Sequence, residues 1–211
     1  MTNTFLHSGD LGDIIYSLPA IKKLGGGVLY LNPAYESNFS HYPLKTKLSR
    51  TAAIQLIPLL MRQEFITDVK LWGGEPVDFN LDKFRDHIKF NNLVISTLDA
   101  FNLDYSDTSM PWLSQPKIRK LPKPYIISRS VRYHSNYVEW VNILNIISNE
   151  SIFIGLPKEH EIFEYTFNVK IMYYSTPSIE DVFETIASCE RIFCNQSFPH
   201  ALAEGLGHPL H

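Results

Sequence analysis

Apolar and polar positions change period several times along the chain, and each change marks an element. Thr4-Phe5-Leu6 is a short extended run that leads into Ser8-Gly9-Asp10-Leu11-Gly12. From Asp13 to Leu24 the apolar residues fall at 14, 15, 18, 21 and 24, a spacing that predicts a helix ended by Gly25-Gly26-Gly27. Pro19 lies inside that pattern and predicts a kink or an irregular first turn. Val28-Leu29-Tyr30-Leu31 reads as a strand stopped at Asn32-Pro33. Strand, glycine-bearing turn, helix and strand in about 30 residues make a βαβ unit, which implies a parallel sheet.

The middle of the chain is less regular. Residues 48–62 predict a helix, 66–72 a strand ended by Gly73-Gly74, and 78–81 a further short strand. Segments 84–90 and 97–103 each read as a turn or two of helix. Residues 111–124 have little periodicity and read as a linker. Beyond it strand and helix alternate four times: 125–128 then 137–147, 151–155 then 158–165, 169–174 then 178–188, and 191–195 then 199–206. The pattern predicts an α/β chain of two doubly wound domains, 1–118 and 119–211. A further strand is expected after the last helix, so the second domain reads as lacking a final strand and helix.

Composition narrows the class. Hydrophobic residues make up 45% of the 211, enough to bury a core. With 22 acidic against 19 basic residues, the chain lacks the general basic surface of a non-specific nucleic-acid binder. The two cysteines, Cys189 and Cys194, are too few for a disulfide scaffold or a four-thiolate zinc site, and Cys194 reads as a small buried hydrophobe. No signal-peptide pattern precedes Gly9-Asp10. The longest apolar segment, 52–61, falls well short of the ~20 residues that span a bilayer. The expectation is a soluble, cytoplasmic protein with no transmembrane segment.

Ligands of open α/β sheets bind beyond the carboxyl ends of the strands, against helix N-termini. Three segments stand there. In the first, Gly9 and Gly12 let the backbone turn tightly, while Asp10 and Asp13 place carboxylates at the mouth of the loop. Two acids repel a pyrophosphate, so this loop suits an uncharged acceptor or a general base. Local sequence alone favours Asp13 as the cap of its helix. In the second, Arg129 and Arg132 follow a strand with Ser128, Ser130 and His134, where they can clamp a diphosphate or pair with surface acids. In the third, the polar triplet Asn195-Gln196-Ser197 runs into a helix whose free N–H groups and Ser197 Oγ suit a pyrophosphate. His200 and Glu204 share one face of that helix, positioned for phosphate and ribose, or as a satisfied core histidine with its partner. Zinc-protease, carboxylate-metal and nucleophile-elbow motifs are absent from the sequence.

These segments together resemble the GT-B glycosyltransferases of family 9, the ADP-heptose:lipopolysaccharide heptosyltransferase type. HSGDLGDIIYSLPAIKKL is similar to that family's N-terminal loop and helix, FIGLPKEHEIF to its Gly-x-x-x-Glu turn, and IEDVFETIASCERIFCNQSFPHALAEGLGHPL to its nucleotide-diphosphate signature. The resemblance implies two small Rossmann-like domains with parallel sheets facing a cleft. It also implies inverting, metal-independent sugar transfer from a nucleotide-diphosphate sugar, with no resident cofactor and a hexosyl or heptosyl donor. Asp13 becomes the general base, while Ser197, His200 and one of the two arginines hold the diphosphate. Gln196 takes the place of a family Asp that contacts the donor sugar, and Phe198 that of a Gly. The acceptor is expected to be a glycan, a lipid-linked sugar or a modified nucleic-acid base. The alternatives are a catalytically degenerate GT-B nucleotide-binding module and a nucleotide-sugar 2-epimerase-like enzyme.

Overall fold

The computed structural model describes residues 2–36, 47–89, 92–106, 108, 111–131 and 139–209. They form two units, Met1–Ser114 and Gln115–His211. In the first, β1 (Asn3–His7), α1 (Leu11–Lys23), β2 (Gly27–Leu31), α2 (Arg50–Met61) and β3 (Ile66–Leu71) alternate. The short β4 (Phe79–Asn80), a 3-10 helix (Leu81–Asp86) and α3 (Leu93–Ala100) complete it. The strands are all parallel, in the order β3-β2-β1-β4.

The second unit repeats that path. Its elements are β5 (Tyr125–Ser128), α4 (Trp140–Ile147), β6 (Ser151–Phe153), α5 (Pro157–Phe167), β7 (Met172–Tyr173), α6 (Ile179–Ala187), β8 (Arg191–Cys194) and α7 (Phe198–Leu206). The sheet is again parallel, ordered β7-β6-β5-β8. Both sheets therefore reverse direction of growth once, between β1 and β4 and between β5 and β8. Those two places are where an open parallel sheet leaves a crevice.

Cores follow the periodicity. Ile14, Ile15, Leu18 and Ile21 bury one face of α1 together with Phe5, Leu29 and Leu31 of the sheet. In the second unit Ile127, Phe153 and Phe193 pack with Trp140, Leu144 and Phe163. The Gly25-Gly26-Gly27 stop is dictated by space as well as by backbone sign. Gly26 has φ +71, and a Cβ there would lie 2.2 Å from the carbonyl oxygen of Phe65.

Pro19 lies in the interior of α1 and has no N–H, so the carbonyl of Ile15 one turn earlier loses its helical partner. The indole of Trp112 replaces it, Nε1 donating to Ile15 O at 3.2 Å in a buried setting. Ser114 is held to the same unit by donating its N–H to Gln63 Oε1 at 2.9 Å. Arg119 is instead tied into the second unit: its N–H donates to Ser188 Oγ at 2.9 Å, and its guanidinium to Asp181 and Glu184. The anchors of the two units thus lie on either side of residues 115–118, with the division following Ser114.

Other differences have local causes. The helix expected at 97–103 runs Leu93–Ala100, because Asn92 caps it by accepting from Ile95 N–H at 3.0 Å and Asn102 adopts φ +53 just past its end. The turn expected at 84–90 starts earlier as the 3-10 helix, capped by Asn80, whose side chain accepts from Asp82 N–H at 3.1 Å. Cys194 is half-buried and Cys189 is the buried thiol. Among the described residues no helix is long and apolar enough to cross a membrane.

Candidate functional site

β1 ends at His7 and β4 at Asn80, so the turns that follow them meet at the crevice of the first sheet. Asp10 occupies the N-cap position of α1, while Asp13 lies within its first turn. Asp13 is therefore not the cap, and Gly12 belongs to the helix rather than to the loop. Ser8 reaches across to the 3-10 helix: its N–H donates to Asp82 Oδ1 at 3.1 Å and its hydroxyl bonds the same carboxylate. Arg85 Nη1 donates to Asp82 Oδ1 at 2.5 Å, and its Nη2 stands 3.7 Å from Asp13 Oδ2. His7, wholly buried, lies 3.5 Å from Asp82.

Gly9 is where these groups converge. A Cβ there would lie 2.6 Å from His7 Cε1, 2.7 Å from Asp13 Oδ2 and 2.8 Å from Arg85 Nη2. Only the missing side chain lets an imidazole, a carboxylate and a guanidinium close on one point.

Electrostatics separate the acids. Burial pushes the Asp13 carboxyl up to about 6, with the charge of Asp10 adding to the rise and Arg85 and Lys47 opposing it. Burial also opposes the charge on Asp82, yet the His7 ring, the Ser8 hydroxyl and Arg85 hold it below the usual carboxylate range. His7 is pushed down to about 4, chiefly by burial, and is neutral at pH 7. Asp13 thus titrates just below neutrality while its side chain keeps 22% exposure, the combination a general base needs. Asp82 and Arg85 also line a recess of about 690 Å³ bounded by Tyr35, Phe79, Asn80 and Phe101.

The crevice of the second sheet lies between the ends of β5 and β8. Asn195 bridges it: Oδ1 accepts from Ser130 N–H at 3.0 Å, and Nδ2 donates to Ser130 O and Oγ at 3.2 and 3.0 Å. Ser197 is the N-cap of α7 by position, but its hydroxyl donates to Asn195 O at 3.0 Å and caps no N–H. Pro199 contributes no donor, which leaves Phe198 and His200 as the N–H groups of the first turn. Nδ1 of His200 is 3.7 Å from Glu204 Oε2, and burial lowers its pKa against the pull of Glu204. Arg129 lies over the ring of Phe167, 5.2 Å from its centroid. Gln196 lies in the turn between Asn195 and Ser197. Arg132 lies outside the described residues. Burial raises both cysteine thiols to about 12, so neither is a thiolate at neutral pH.

Of the residues singled out in the sequence, the structure brings together Gly9, Asp10 and Asp13 in one unit and Ser130, Asn195 and Ser197 in the other. The sequence reading missed His7, Asp82 and Arg85. The available signal was Asn80 followed by an Asp and an Arg three apart, a cap and a charged pair on a single turn.

No family model matches the sequence, and no curated protein matches it. Solved structures are similar in fold. The E. coli heptosyltransferase WaaC with ADP-2-deoxy-2-fluoro heptose has a TM-score of 0.58 at 10% identity, over 100% of this chain and 87% of its own. The E. coli ADP-heptose lps heptosyltransferase II has 0.56 at 12% identity, over 100% and 83%. The iron-containing dodecameric glycosyltransferase TibC from enterotoxigenic E. coli has 0.55 at 13% identity, over 99% of this chain and 57% of its own. The chain shares the α/β fold of these three enzymes, two of them heptosyltransferases, the group the sequence motifs resemble.

Proposed function

We propose that the protein is an inverting glycosyltransferase that moves a sugar from a nucleotide-diphosphate sugar to an acceptor hydroxyl, without a metal or a resident cofactor. The observation that carries this reading is Asp13, a carboxylate at the crevice of the first sheet with its pKa raised to about 6. At neutral pH it is ionised yet basic enough to take the hydroxyl proton as that oxygen attacks the sugar C1. The bond from C1 to the diphosphate breaks on the opposite face, and the configuration inverts.

In this reading the leaving diphosphate rests on the Phe198 and His200 N–H groups, the Ser197 hydroxyl and Arg129 or Arg132, which carry the charge that a metal otherwise would. Asn195 keeps the two turns of that crevice in register, Gln196 faces the donor sugar and Glu204 accepts from ribose. Gly9, Asp10 and Gly12 shape the acceptor side. The acceptor is a glycan, a lipid-linked sugar or a modified nucleic-acid base. The reading also takes the protein as cytoplasmic, in keeping with a sequence of only two cysteines.

A thermal-shift panel of ADP-, UDP-, GDP- and CMP-linked sugars tests the donor, with ADP-heptose included because of the ligand solved with WaaC. A donor at a hundredfold excess over Kd stabilises by ~2.7 kcal/mol. Transfer assayed with a chelator present, and read by the anomeric configuration of the product, tests mechanism. No shift with any donor, or full transfer by Asp13→Asn, overturns the proposal. Binding without turnover marks a degenerate module, and a free epimerised sugar marks the 2-epimerase type.

A further inference from the structure

We propose that Arg85 is a positioning residue for Asp13, holding its carboxylate in place and ionised from an anchor on Asp82. The assignment rests on Asp13 being the base. Three observations carry it. Arg85 Nη2 is buried, has no hydrogen-bond partner among the described residues, and points at Asp13 Oδ2 from 3.7 Å. The other arm of the fork, Nη1, is fixed on Asp82 Oδ1 at 2.5 Å, and Asp82 is itself held by the N–H and hydroxyl of Ser8. The bare Cα of Gly9 leaves room for both groups at once.

The guanidinium therefore cannot swing away from Asp13 without giving up its bond to Asp82. Its planar fork is suited to this role, since one arm anchors while the other presents a fixed positive edge. The charges around Asp13 are Asp10, which disfavours ionisation, and Arg85 and Lys47, which favour it, with neutral His7 and anchored Asp82 behind. Of the two cations, Arg85 is the one anchored on Asp82, the carboxylate that also holds Ser8. It also lines the recess beside Tyr35 and Phe101, so a molecule bound there touches the group that faces the base.

The test is carboxyl-carbon NMR titration of the full chain, with the Asp13 signal assigned by its loss in Asp13→Asn. Arg85→Gln is expected to raise the Asp13 midpoint by about one pH unit. The acid limb of kcat/KM should move with it, with kcat at neutral pH reduced and donor KM unchanged. Arg85→Lys should restore the midpoint in part. If Arg85→Gln fails to fold, Arg85→Met, which also removes the charge, carries the measurement beside the lysine variant. An unmoved Asp13 midpoint in the folded variants, or a loss of kcat that is the same at every pH, overturns the proposal. Because the titration needs no turnover, it is read independently of transfer. Retained transfer by Asp13→Asn would instead overturn the base assignment.

Discussion

The backbone N–H of Gly9 donates to Nδ1 of His7 at 2.9 Å, so the imidazole is neutral and carries its proton on Nε2. Charging it means protonating a nitrogen that already accepts, inside a site closed to water. Two opposing linkages follow from this ring and its neighbour Asp13.

Between about pH 6.5 and 4 an unfolded His7 is protonated while the folded one is not, so acidification removes stability. Between about pH 6 and 3.8 folded Asp13 takes a proton while the unfolded one does not, so acidification there adds stability. The two offset each other in the intact protein. Asp13→Asn is expected to raise stability at pH 7–8 by roughly 1 to 3 kcal/mol, since it removes a buried charge. It should also expose the His7 linkage as a steeper fall in Tm between pH 6.5 and 4. Calorimetry across pH 4–8 checks both, and parallel Tm curves for variant and parent would contradict them.

Gly9→Ala places a methyl within 2.8 Å of three functional groups at once. Relief requires the Asp13 carboxylate, the Arg85 fork or the His7 ring to move, at a cost of about 1 to 3 kcal/mol. With Asp13 as the proposed base, a misplacement of about 1 Å lowers kcat by about a hundredfold. Steady-state kinetics and chemical denaturation of the same variant measure the two effects.

Asn195→Asp tests the second crevice. The aspartate keeps the acceptor for Ser130 N–H but sets an oxygen against Ser130 O and Oγ, where Nδ2 donated. Expected are a loss of about 1 to 3 kcal/mol and at least about tenfold weaker nucleotide binding, because the added charge repels a diphosphate. Isothermal titration with the nucleotide diphosphate checks the affinity. Unchanged binding would remove this turn from the donor site.

Trp112→Phe leaves the buried Ile15 carbonyl unpartnered, a loss of about 1 to 3 kcal/mol. Pro19→Ala in the same background returns a helical N–H to that carbonyl. The double variant is therefore expected to be more stable than the sum of the single changes by about 1 kcal/mol, as denaturation midpoints would show. Additive effects would mean that the indole matters only through packing.

Much of the fold was legible in residue spacing. The helical run at 14, 15, 18 and 21 and the four strand–helix pairs after residue 124 declared parallel sheets, because a buried parallel strand and an amphipathic helix differ in period. The segment from Phe79 to Ala100 was not legible in the same way. Its strand has two residues and its helices start on asparagine caps, so local hydrogen bonds and not periodicity decide them. The candidate site divided along the same line. Gly9, Asp13 and Ser197 announced themselves by lying next to a strand end. Asp82 and Arg85 reach Ser8 and Asp13 across more than seventy positions, and only the pairing of β1 with β4 brings them close.

A proline that denies its helix one hydrogen bond also supplies a tether for the outgoing chain. With Trp112 latched to Ile15 and Ser114 to Gln63, the polypeptide leaves the first unit from these two anchors rather than from the tip of α3. Slack introduced between α3 and Trp112 would be absorbed upstream of the latch, so that stretch is where the protein tolerates added length.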